Sequence, residues 1–173
     1  MKTETKQRIA ATIQDFRMPR YQEIPNVGLY LEQATKFISE ALAPLGDTPM
    51  TSSMISNYVK KGLVSNPVKK QYDRDQIIYL MFIAMAKNVM SLDDLCHFIS
   101  LQKRTYTVQK AYDYFCLELE NMLQYVFGLK EDIASVGSDS SDEKMLLRTA
   151  IIAYTHKIYL EKCIAAISSG ENH

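Results

Sequence analysis

The run Ile77-Ile-Tyr-Leu-Met-Phe-Ile-Ala-Met-Ala86 leaves the chain few options. Ten apolar residues are too few to span a bilayer. Apolar on every side, the run predicts a helix buried all round, the centre of a core. Asp73 opens that helix, with Gln76 placed for a capping box. Six Gly and five Pro in 173 residues are few, and the other apolar spacings are mostly helical. With 47% hydrophobic residues the chain is not globally disordered, and the expectation is an all-α protein.

The stretch just before this run is the most informative. Thr51 is a good N-cap. At helical steps of about 100°, Ser52, Ser53, Ser56, Asn57, Lys60 and Lys61 fall on one half of the wheel. Met54, Ile55, Tyr58 and Val59 fall on the other. One side therefore packs and the other meets solvent or a ligand. Gly62 suits the left-handed position that closes a helix.

Ser65, Asn66 and Pro67 mark a turn, and Val68 to Tyr72 alternates weakly, as a hairpin edge does. From Lys60 to Arg74 the cations are Lys60, Lys61, Lys69, Lys70 and Arg74, against Asp73 alone. Five minus one is a local +4 in a chain of zero formal charge. A basic spot beside a polar helix face is the footprint of nucleic-acid binding.

The segment YVKKGLVSNPVKKQYDRDQIIYLMFI, followed by SLDDL, resembles the N-terminal domain of MerR-type regulators. Tyr58, Lys60, Gly62, Leu63, Pro67, Tyr72, Leu80, Ser91 and Leu92 carry the match. The chain is similar more closely still to a bacterial group catalogued only as a domain of unknown function with a MerR-like helix-turn-helix. Met18-Pro-Arg-Tyr-Gln-Glu-Ile-Pro-Asn-Val-Gly-Leu-Tyr-Leu-Glu-Gln33 matches that group's lead-in. The resemblance runs from Phe16 to Phe127. It implies a winged helix-turn-helix that reads DNA, with serines at 53 and 56 where the family carries arginines.

Around this module the chain divides into an N-terminal segment and strap (1–26), the module itself (27–102) and a C-terminal helical hairpin (103–173). Lys2 to Ile13 is a short helix. Phe16, Met18, Tyr21 and Ile24 anchor the strap. Leu29 to Leu45 is helical, ended by Pro44 and Gly46, and Asp47-Thr48-Pro49 turns into the next helix. Ser91 and Asp94 cap a short helix. Arg104 to Phe127 is one long helix with a heptad stripe: Val108, Tyr112, Phe115, Leu119, Met122 and Val126. Residues 130–143 form an acidic linker of net −4, exposed and mobile. Ser140 with Glu143 caps a final helix to Ser168 whose apolar face includes Ile151, Tyr154, Ile158, Ile164 and Ile167. The two long helices pair as a hairpin.

No residues favour catalysis. His97, His156 and His173 lie in no nucleophile or metal motif, and no glycine-rich phosphate loop is present. Asp93 and His97 share a helix face, but two ligands do not make a metal site. Cys96, Cys116 and Cys163 are isolated, which suits a reducing cytoplasm. The N-terminus lacks a signal-peptide core.

The expectation is therefore a cytoplasmic, non-enzymatic transcriptional regulator without cofactor or metal, homodimeric through its C-terminal helices. Ser52, Ser53, Ser56 and Asn57 would enter the major groove of double-stranded DNA. Lys60, Lys61, Lys69, Lys70 and Arg74 would hold phosphates, with Tyr58 and Tyr72 bracing helix and wing. The competing expectation is a protein–protein adaptor on the same scaffold, its serine-rich face binding the partner, favoured by the absence of arginines in the recognition helix, the neutral total charge and the acidic linker. No residue identifies an effector ligand.

Overall fold

The computed structural model describes residues 3–46, 50–137 and 140–170. Seven helices carry them: α1 Thr3–Ala11, α2 Leu31–Leu42, α3 Ser52–Lys60, α4 Arg74–Ala86, α5 Leu92–Thr105, α6 Val108–Val126 and α7 Asp142–Gly170. Among the described residues the one sheet pairs β1 Leu29–Tyr30 antiparallel with β2 Gln71–Tyr72. The fold is all-α apart from these four residues. Lys2, the Asp47-Thr48-Pro49 turn, Asp139 of the linker and the tail from Glu171 to His173 lie outside the described residues.

Helix α4 is the centre. Ile77, Leu80, Met81 and Ile83 are wholly buried, and α2, α6 and α7 pack around them. Asp73 accepts from the Gln76 N–H, and Gln76 Oε1 accepts from the Asp73 N–H, which closes the capping box. The strap holds as its apolar residues imply: Met18 and Ile24 are buried, with Phe16 and Tyr21 packed at the edge. Arg20 forks onto both oxygens of Glu120 at 2.8 Å, and Tyr112 donates to the Pro19 carbonyl at 2.6 Å. The Cys116 thiol is wholly buried there, and burial pushes it up to about 11.

Several local expectations need correction. Leu29 and Tyr30 are strand, not helix, because their backbone pairs with Tyr72 and Gln71. Helix α2 ends at Leu42 and tightens into a 3-10 turn at Ala43–Leu45, with Gly46 left-handed at φ 73. The long helix does not start at Arg104. Arg104 and Thr105 finish α5, Tyr106 is extended, and the Thr107 hydroxyl caps α6 by accepting from Lys110. The stripe from Tyr112 to Met122 is buried as the heptad predicts. The cap before α7 is Ser141 rather than Ser140, since Ser141 Oγ accepts from the Lys144 N–H.

The largest correction concerns direction. A hairpin would run α6 and α7 antiparallel, yet their contacts climb together. Tyr106 meets Ser141, Tyr114 lies under Lys144, Glu118 faces Arg148, and Phe127 packs edge-on against Tyr159. The helices are therefore parallel. The connection makes this feasible: 14 residues from 128 to 141 reach up to about 46 Å extended, while the 19-residue α6 is about 28 Å long. Asn121 Nδ2 donates to the Ala134 carbonyl, which pins the returning segment along α6. Ile151, Tyr154 and Ile158 of α7 are buried, but Ile164 and Ile167 are 55% and 51% exposed, so the expected apolar face is covered only along its first half.

Candidate nucleic-acid interface

Local chemistry builds α3 as its sequence requires. Thr51 Oγ1 accepts from the Met54 N–H at 3.2 Å. At the other end the Gly62 N–H reaches the Val59 carbonyl and the Leu63 N–H reaches Tyr58, a Schellman closure. Gly62 holds φ 77 with open space around it, and Leu63 is buried against the helix end. Ile55 and Tyr58 face the core, while Ser53, Ser56, Asn57, Lys60 and Lys61 are exposed. Ser52 is half-buried, and its hydroxyl lies 3.2 Å from Thr35 Oγ1 of α2, tying the two helices together.

The hairpin beyond α3 is tighter than its sequence suggests. Val68 and Gln71 exchange both backbone hydrogen bonds, at 3.1 and 2.9 Å, leaving a two-residue turn. That turn is Lys69-Lys70, at φ 50 and 64. Positive φ at both central residues is the type I′ requirement, which Asn-Gly meets at least cost. Among described residues these lysines are the non-glycine positions of positive φ. Both side chains are exposed, and among the described residues no ion pair engages Lys60, Lys61, Lys69 or Lys70. Tyr72 is buried, as is Tyr58. Burial raises both phenols above their ordinary value, so each stays a neutral brace.

Arg74 is placed differently from the lysines. Its Nε donates to the Ile24 carbonyl at 2.9 Å, Nη1 reaches Gln22, and the guanidinium lies 4.9 Å over the Tyr21 ring. The structure spends it on the strap. The sequence also understated Gln76. Besides its part in the capping box, the buried Nε2 donates to the Ser65 carbonyl at 2.9 Å and to the Asn66 carbonyl at 3.2 Å. It fixes the start of the hairpin to α4. A capping glutamine beside a basic turn is the only sequence signal of this.

Asp93 and His97 are exposed, and among the described residues no three His, Cys, Asp or Glu side chains converge on a metal-sized space. No described helix is long and apolar enough to cross a membrane.

A family model described as Domain of unknown function (DUF1836) matches residues 19–115. That span covers the strap from Pro19 on, α2 to α5, the hairpin and the first turns of α6. No curated protein and no solved structure matches the chain.

Proposed function

The chain belongs to the DUF1836 family, and for it we propose a non-enzymatic DNA-binding regulator of MerR-like type, reading DNA through α3 and the Lys69-Lys70 hairpin as a homodimer. The observation that carries this reading is the hairpin tip. Two adjacent lysines hold a left-handed backbone that costs an L-residue about 1–2 kcal/mol each. Strain of that kind persists where position is worth more than stability. Here it presents two exposed ammonium groups at the tip of the hairpin that follows α3. Ser53, Ser56 and Asn57 then supply the small donors and acceptors that base edges require, and Lys60 and Lys61 complete the phosphate set.

The dimer is supported by α7. Met145, Ile152, Leu160 and Ile167 are between 37% and 59% exposed along one side of that helix. Two copies crossing antiparallel at His156 set Met145 against Ile167 and Ile152 against Leu160, and the same pairs recur in reverse. A two-fold interface needs that self-complementarity.

The test is binding of the purified protein to genomic fragments across a salt series. Changing both Lys60 and Lys70 to Glu should weaken binding and lower the slope of log affinity against log salt by about 2, one per lost phosphate contact. An unchanged slope removes these lysines from the interface. The adaptor is the second reading, favoured by the exposed apolar residues of α7. It gains if folded protein enriches no DNA at low salt.

A further inference from the structure

Gln71 is paired on both sides: Val68 meets it across the hairpin, and Tyr30 meets it from β1. Residues directly opposite in antiparallel strands project to the same face, so Val68, Gln71 and Tyr30 stand in one row. Leu29 and Tyr72 alternate to the other face, where Tyr72 is buried. The row itself faces outward, with Val68 73% and Tyr30 53% exposed. The Gln71 side chain lies against Gly28, where an added Cβ would come within 3.0 Å of Gln71 Cβ. A side chain at 28 would lift Gln71, so glycine keeps the middle of the row low. The Lys69-Lys70 tip adjoins the row at Val68 and Gln71. The carboxylates nearest in sequence are Asp73, which accepts from the Gln76 N–H, and Glu32 in the first turn of α2. Among the described residues neither forms an ion pair with these lysines.

Two apolar side chains flanking an amide, edged by unpaired cations, match one strand of a duplex, where apolar sugar edges alternate with phosphates. Two strand spacings of about 4.8 Å make the row about 10 Å long, the rise of about three nucleotides of one strand. We propose that this sheet face docks on the sugar-phosphate backbone of double-stranded DNA. Lys69 and Lys70 lie on phosphates, and Val68 and Tyr30 pack on the deoxyribose edges between them. The inference rests on the DNA-binding reading and extends the contact to β1, which lies outside both α3 and the hairpin. The charge of the tip selects a polyanion as the occupant. Tyr30 makes a different contribution from the lysines: it releases no counterion, so its share of the affinity is independent of salt.

The chain holds no tryptophan, so Tyr30→Trp places a single indole on this face of the full chain. The probe is a short mixed-sequence duplex at low salt. The quencher is acrylamide, which is neutral and so indifferent to the field of DNA. Acrylamide should quench the saturated complex several-fold less than the free protein. Tyr30→Ala should weaken duplex binding about tenfold, the loss of a partly buried aromatic ring. The slope of log affinity against log salt should stay unchanged in that variant, since no phosphate contact is lost. A duplex that binds with a slope set by Lys60 and Lys70, while the ring at 30 stays open to acrylamide, overturns this inference and leaves the DNA-binding reading standing. Folded protein that binds no duplex overturns both. Shielding by anionic vesicles alone, or by raised protein concentration alone, gives the face to a lipid surface or to a second copy and overturns the proposal. If Tyr30→Ala fails to fold, the Tyr30→Trp measurement decides.

Discussion

At the scale of single residues, the hairpin tip separates stability from function. Replacing Lys69-Lys70 by Asn-Gly suits the left-handed backbone and should raise unfolding stability by about 1 kcal/mol, read from the denaturant midpoint. The same change should lower DNA affinity, because two cations are lost. Gly62→Ala makes the opposite point: no atom lies within 4 Å of the added Cβ, so its cost is conformational, about 1–2 kcal/mol, and no clash contributes. Glu118 supplies a pH signature. Its side chain is fully buried, with Arg148 Nε 3.0 Å away but not aligned for a hydrogen bond. Burial raises its carboxyl above the ordinary value against the pull of Arg148 and Lys144. A raised carboxyl holds its proton longer in the folded state than in the unfolded state. Stability from this group is therefore greatest in acid and falls as pH rises past the unfolded value of about 4.3. Glu118→Gln should remove that fall, which urea titrations at acid and neutral pH would read. An unaltered difference between the two pH values would contradict the assignment.

At the scale of elements, the strap is a clamp between α4 and α6. Arg20→Ala should release it and cost about 1–2 kcal/mol. This is below the figure for a fully buried pair, because the Arg20 side chain is 31% exposed. The fold was legible in the sequence wherever an element is set by its own residues. The Thr51 cap, the Gly62 closure, the Asp73–Gln76 box and the buried run of α4 all follow from neighbours within five positions. The misreadings fall where a distant partner decides. Leu29 and Tyr30 carry a helical spacing but lose their start to the backbone of Tyr72 and Gln71. Arg74 counts toward a basic cluster by sequence and is drawn to Ile24, 50 residues earlier, by space. The direction of α7 is not written in its apolar period, which is the same for a parallel and an antiparallel partner. Only the length of the 128–141 connection hinted that a return was possible. Of the candidate interface, the exposed serines and lysines were legible, while the turn geometry at Lys69-Lys70 was not, because Lys-Lys is no turn signal.

At the scale of the whole molecule, the parallel α6–α7 pair leaves one side of α7 uncovered, and that side is where a second copy is proposed to dock. Leu160→Glu should turn a dimer into a monomer in sedimentation without lowering the thermal midpoint of the protomer, since Leu160 is 59% exposed. DNA affinity should fall with it, because a monomer engages half a site. The measurement that tests the central claim most directly is capture of sheared genomic DNA by purified protein, repeated across a salt series. The account predicts enrichment of a few palindromic sites that is lost as salt rises, with a shallower salt slope when Lys60 and Lys70 become Glu. Failure of folded, dimeric protein to enrich any DNA at low salt would contradict it and leave the exposed polar face of α3 as a surface for protein.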